Sequence, residues 1–219
     1  MKRLLTIVCC IIVLNSALTF GQKSYGSDLS ATVAIPVGTN SQYFNTGYGA
    51  IGGVYYEMES DWRIGLTLGF IYFGLNGNEL NNYFQSLNQS GTVDISGSVS
   101  TIPILLSFKY LFPGPSTRFY AILEGGLYTY WTKATGNINY SDGGVAPIDK
   151  SEFSSEIGWD FGLGALFPVG KDISIDANIR YNFVRNEGTV KVNDVTGEES
   201  VGSSHYLNIG IGANWNFDM

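Results

Sequence analysis

The chain has 219 residues, of which 28 are Gly, 14% are aromatic and only 14% are charged, with a formal net charge of −7. Few charges with many aromatics exclude intrinsic disorder. The scarcity of heptad-forming residues excludes a coiled coil, and the negative balance argues against a nucleic-acid partner, which needs a basic patch.

Residues 1–21 read as a secretory signal peptide. Lys2 and Arg3 form its basic start, Leu4 to Leu14 is apolar apart from Thr6, and Thr19 and Gly21 are the small residues before cleavage. The apolar run is shorter than the ~20 residues of a spanning helix. Cys9 and Cys10 are the only cysteines and lie in this segment, so the mature domain, residues 22–219, can hold neither a disulfide nor a Cys-bound metal. Loss of Lys2 and Arg3 leaves 10 basic against 19 acidic residues, a net charge of −9.

The rest of the chain alternates apolar and polar residues with a period of two, the mark of strands with one apolar face. Eight strands are predicted, in order: Leu29 to Val37, Tyr48 to Met58, Trp62 to Phe73, Ser98 to Phe112, Phe119 to Thr132, Ile157 to Phe167, Ile173 to Val184 and Tyr206 to Phe217. In the third, Ile64, Leu66, Leu68 and Phe70 share one face, and Arg63, Gly65, Thr67 and Gly69 the other. In the seventh, Ile175, Ala177 and Ile179 stand opposite Asp176, Asn178 and Arg180. Short turns (Glu59-Ser60-Asp61, Pro113 to Thr117, Pro168 to Asp172) alternate with the polar segments Gly74 to Gly97, Lys133 to Ser155 and Arg185 to Ser204, predicted as long loops. Gly38 to Gly47 is intermediate. This is an antiparallel up-and-down meander, all-β, with no helical repeat.

Alternation alone fits a soluble lipocalin-like barrel as well as an inverted, membrane-spanning one. Three features favour the second. The apolar faces are long enough to cross a bilayer at a tilt. Aromatics mark the strand ends: Trp62 and Tyr72, Phe119 and Trp131, Trp159 and Phe167, Trp215 and Phe217, as in the interfacial girdles of a membrane barrel. The polar faces are rich in Gly, leaving room in a narrow interior for larger side chains from neighbouring strands.

The final strand, Gly210-Ile211-Gly212-Ala213-Asn214-Trp215-Asn216-Phe217, resembles the terminal signal of bacterial outer-membrane barrels. With the signal segment, the eight strands and the loop alternation, the chain resembles the small outer-membrane β-barrel families, including the outer-membrane protein A barrel and the porin-family barrels of Bacteroidetes-like bacteria. The resemblance covers the whole mature chain and, for outer-membrane protein A, the barrel alone. It implies an eight-stranded transmembrane barrel in the outer membrane of a Gram-negative cell. The implied partners are outer-membrane lipids and, through the final strand, the barrel assembly machinery.

The same register predicts a lumen filled by charge: Arg63, Lys109 and Arg180 with Glu57, Glu124, Asp160 and Asp176. Three cations against four carboxylates nearly balance, as a buried network requires, with Tyr120, Tyr128 and Phe73 taking up remaining volume. The predicted function is a plugged structural or interaction barrel that presents its loops. A small channel for small or hydrophobic solutes is the alternative, and a lipid-modifying barrel enzyme a remote one. His205, the only histidine, sits beside Ser203 and Ser204 but lacks the His-x-Ser arrangement of such enzymes, so no catalytic residue is assigned. Asp142, Asp149, Glu152, Glu156, Asp194, Glu198 and Glu199 match no EF-hand spacing and read as solvated loop acids. No cofactor or metal is expected.

Overall fold

The computed structural model describes residues 24–38, 41–59, 61–86, 91–184 and 204–218. The predicted signal segment and most of the segment Arg185 to Ser204 lie outside these residues. Eight strands form a closed antiparallel barrel in sequence order: β1 Ser24–Val37, β2 Gly47–Glu59, β3 Trp62–Gly74, β4 Gly91–Leu111, β5 Arg118–Tyr140, β6 Val145–Pro168, β7 Ile173–Val184 and β8 Ser204–Asp218. β1 closes the ring on β8 over its whole length, from Ser24↔Asp218 to Val37↔His205. Closure pairs both edges, and in hydrocarbon an unpaired edge would cost several kcal/mol per group.

Pairing fixes which face is which. Leu68, Phe161 and Ile211 are more than half exposed on the outside, whereas Arg63, Lys109, Glu124, Asp160, Asp176 and Arg180 are buried in the lumen. A water-soluble barrel would require the opposite distribution. The exposed apolar belt continues around every strand, from Leu29 and Val33 on β1 to Ile209 on β8. Such a surface is far larger than soluble monomers expose, and the architecture is that of a transmembrane barrel. On β5 the belt runs from Phe119 to Trp131; 12 steps of about 3.3 Å, tilted by ~40°, span about 30 Å, the thickness of a hydrocarbon core.

Two of the predicted long loops are corrected. Gly74 to Gly97 contains a helix, α1 (Gly77–Ser86), and the beginning of β4. Asn76 starts this helix: its backbone O accepts from Leu80 N at 3.1 Å, and its side-chain Oδ1 from Glu79 N at 3.5 Å. Asn76 with Glu79 three positions on is a short-range capping signal, which the polar composition of the segment concealed. Lys133 to Ser155 is mostly strand: β5 and β6 continue as a hairpin from Asn139↔Val145 downward, closed by a turn in which Gly143 adopts φ +88°. Most of its residues are polar, and the few apolar ones, Ile138, Tyr140, Val145 and Ile148, make no long apolar face, so a reading keyed to such a face ends the strands too early. The intermediate connection holds a 3-10 turn, Ser41–Tyr43.

Inside, the barrel is packed in layers. Toward the long-loop end, Ile51, Ile71, Phe73, Leu105, Tyr128, Tyr130, Val184 and Tyr206 form an apolar layer. Toward the short-turn end, Leu111, Tyr120, Ile122 and Leu166 form a smaller one. Glycine opposite an inward tyrosine makes this packing possible. A Cβ on Gly158 would stand 2.7 Å from the Tyr128 ring, and the Tyr120 ring occupies the place a Cβ on Gly164 would take.

Candidate functional site

The site is the lumen. Inward positions on a strand recur every second residue, so Arg63 and Thr67 on β3, Glu124 on β5, Asp160 on β6 and Asp176 and Arg180 on β7 converge on one axis. Arg180 Nη1 donates to Glu124 Oε2 at 2.6 Å, and both side chains are buried. Glu124 Oε1 accepts the Thr67 hydroxyl at 2.6 Å. Lys109 Nζ lies 3.1 Å from Asp28 Oδ2 and 4.6 Å from the centroid of the Tyr120 ring. Toward the short-turn end, Arg63 Nη2 donates to Glu57 Oε2 and to Asn216 Oδ1, both at 3.3 Å, with its guanidinium 4.4 Å over the Tyr55 ring. Tyr55 Oη lies 2.7 Å from Asn216 Oδ1 and 2.8 Å from Asn214 Oδ1.

All seven predicted charges point into the lumen, but not as one balanced network. Arg63, Lys109, Arg180, Glu57 and Glu124 are in ion pairs, whereas among the described residues Asp160 and Asp176 are in none. Asp176 Oδ1 accepts from Tyr120 Oη at 2.7 Å and from Asn178 Nδ2 at 3.4 Å. Asp160 lies directly across from Glu124 in the β5–β6 ladder, with its Oδ1 buried and unpartnered. The partner of Lys109 is Asp28, absent from the predicted set because the apolar pattern starts β1 one residue too late. The alternation Gly26, Asp28, Ser30, Thr32 carries that signal. Arg118 is a further residue outside the predicted set: it bridges Glu57 at 3.8 Å and Asp61 at 3.0 Å, tying the short turn after β2 to β5.

The eight predicted girdle aromatics face outward. Trp62, Phe119, Phe167, Trp215 and Phe217 lie toward the short-turn end and Tyr72 and Trp131 toward the other, whereas Trp159, predicted at a strand end, stands opposite Gly125 midway along the belt because β6 begins at Val145. Trp215 and Phe217 thus share one end of β8 rather than marking both, because β8 runs toward the short-turn end. At the opposite end of β8 stands His205, whose Nδ1 is 3.0 Å from Tyr181 Oη and whose ring is 4.8 Å from Phe183. The outer limit of the belt is sharp on β5 and β6. Trp131 pairs with Phe153 and donates through Nε1 to Ser151 Oγ at 3.0 Å, and Lys133 Nζ sits 4.2 Å over the Trp131 ring. A ring at the apolar boundary with a cation just beyond it suits a membrane–water interface.

The Arg180–Glu124 pair is direct and lies between the two apolar layers, whereas Arg63–Glu57 lies toward the short-turn end.

No protein-family model matches the chain, and no curated protein sequence matches it. Among solved structures, a major outer membrane protein from Thermus thermophilus is similar at 14% identity and a TM-score of 0.51, over 89% of this chain and 99% of that one. Neisserial surface protein A is 16% identical with a TM-score of 0.46, over 90% and 98% of the two chains. Ail of Yersinia pestis, solved with the heparin analogue sucrose octasulfate, is 15% identical with a TM-score of 0.46, over 89% and 97%. At such identity the likeness to the Thermus protein is one of fold, and that fold is the outer-membrane β-barrel.

Proposed function

We propose that the protein is an integral outer-membrane barrel of a Gram-negative cell, exported through a cleaved signal peptide at residues 1–21. Its filled lumen serves stability, and its long-loop end faces outward to meet other molecules. It acts as a structural and interaction barrel rather than as a channel or enzyme. One observation carries this reading. The buried Arg180–Glu124 pair lies in the lumen between apolar layers, while β4, β5 and β6 continue past the apolar belt as sheet. Strands of 21 to 24 residues are about twice what a bilayer requires. The surplus carries Phe153, Tyr140 and Val145 exposed beyond or at the belt's edge.

The test has two parts. Cys placed at Asp142, in the β5–β6 turn, is labelled by a membrane-impermeant maleimide on whole cells, and Cys at Ser116, in the β4–β5 turn, is not. The pure protein in planar bilayers gives no reproducible single-channel steps. Labelling at Ser116 alone inverts the orientation, and steady unitary conductance replaces the plug with a channel.

A further inference from the structure

Every cation in the lumen is already engaged. Among the described residues, Arg63 pairs with Glu57, Lys109 with Asp28 and Arg180 with Glu124. Arg118, at the short-turn rim, serves Glu57 and Asp61. Asp160 and Asp176 are left without a positive charge of their own, although both are buried.

These two carboxyl groups differ. Asp176 Oδ1 accepts from the Tyr120 hydroxyl at 2.7 Å and from Asn178 Nδ2 at 3.4 Å, and such donors favour a carboxylate. Asp160 is 1% exposed, and its Oδ1 meets no donor. Its partner across the β5–β6 ladder is Glu124, also 1% exposed, and the two carboxyl groups lie within hydrogen-bonding reach of each other. An ionised carboxyl only accepts, so this contact joins two acceptors unless one of them carries a proton.

Glu124 is the member held as the anion. Its Oε2 takes Arg180 Nη1 and its Oε1 the Thr67 hydroxyl, both at 2.6 Å. The other titratable groups facing Asp160 are Arg180 on β7, bound to Glu124, and the phenols of Tyr128 on β5 and Tyr206 on β8. None of these brings a second positive charge. Two adjacent buried carboxylates with one cation are strongly disfavoured, whereas a neutral acid donating to a carboxylate satisfies both groups.

We propose that Asp160 and Glu124 form a buried proton-binding site, in which Asp160 is a neutral carboxylic acid whose O–H donates to the Glu124 carboxylate held by Arg180. The proton belongs to the pair. The site depends on the closed barrel alone, not on its orientation or its partners. It links folding to pH. An unfolded Asp has released its proton above about pH 5, while the folded pair keeps one. Each further rise of one pH unit therefore favours unfolding by about tenfold until the folded pair lets go.

The test uses the full mature chain in lipid nanodiscs, folded in water and in heavy water, with isotope-labelled aspartate and infrared spectroscopy. At neutral pH the wild type should show a protonated-carboxyl band of aspartate that shifts in heavy water. Asp160→Asn keeps the shape and a donor toward Glu124; it should abolish the band, and Asp176→Asn should leave it. Glu124→Gln should abolish it too, because Asp160 then ionises and takes over Arg180. Heat-modifiable gel mobility reports the folding of each variant. In denaturant unfolding from roughly pH 5 to 8, the wild type should lose stability relative to Asp160→Asn with the slope of one proton. Absence of the band from the wild type overturns the proposal with no variant needed. A band that persists in folded Asp160→Asn or Glu124→Gln, or that vanishes in folded Asp176→Asn, overturns it as well, as do equal pH slopes in the wild type and Asp160→Asn.

Discussion

Arg180→Ala is the sharpest perturbation of the lumen. The guanidinium is buried, and its bond to Glu124 at 2.6 Å is the shortest ion pair in the barrel among the described residues. Removing one member of a buried pair typically costs ~3–5 kcal/mol, because the other charge stays buried alone. Two local features set where in that range the loss falls. Asp160 is the register partner of Glu124, so two neighbouring carboxyl groups lose their common cation. Against this, Glu124 keeps its hydrogen bond from Thr67. A loss of about 4 kcal/mol is expected. A shape-preserving double change, Arg180→Met with Glu124→Gln, should recover about half, since both charges then leave together. Reversible denaturant unfolding in lipid vesicles, followed by tryptophan fluorescence and gel mobility, gives the values for Arg180→Ala, for the single changes Arg180→Met and Glu124→Gln, and for the double change. A loss below about 1 kcal/mol for Arg180→Ala, or strict additivity of Arg180→Met and Glu124→Gln in the double change, would refute the buried pair.

Three further outcomes follow from the packing. Arg at Leu68, Leu163 or Ile209, all exposed on the belt, should cost ~2–4 kcal/mol of folding in vesicles; three normally folding variants would reverse the facing of the strands. Gly158→Ala places a Cβ 2.7 Å from the Tyr128 ring and 2.9 Å from the Phe183 carbonyl oxygen. It should cost about 1–3 kcal/mol by overpacking, measured by the shift in the unfolding midpoint, and an unshifted midpoint would contradict the packing. Asn76→Ala removes the cap of α1 and should lower its local stability by ~1 kcal/mol. Faster amide exchange confined to Gly77–Ser86, with β3 and β4 protection unchanged, is the expected pattern.

Period-two alternation suffices to find the eight strands, their order and their faces, because a strand with one apolar side writes that side into every second residue. It locates Arg63, Lys109, Glu124, Asp160, Asp176 and Arg180 on the polar face for the same reason. Where apolar residues are few, as in β5 beyond Trp131 and in β6 before Phe153, alternation carries little signal and the hairpin reads as loop. Asp28 falls just outside a strand whose start is set by its apolar residues.

Alternation is symmetric under exchange of inside and outside, so the sequence pattern by itself defines two faces without saying which encloses the core. Aromatic girdles and inward glycines favour one answer; barrel closure decides it by burying Arg180 and exposing Leu68. Partners across the lumen belong wholly to the tertiary structure. Lys109 meets Asp28 from 81 positions away, and Arg180 meets Glu124 from 56. Those contacts depend on strand tilt and stagger, which set how far each residue rises around a closed ring, and no local pattern encodes that rise.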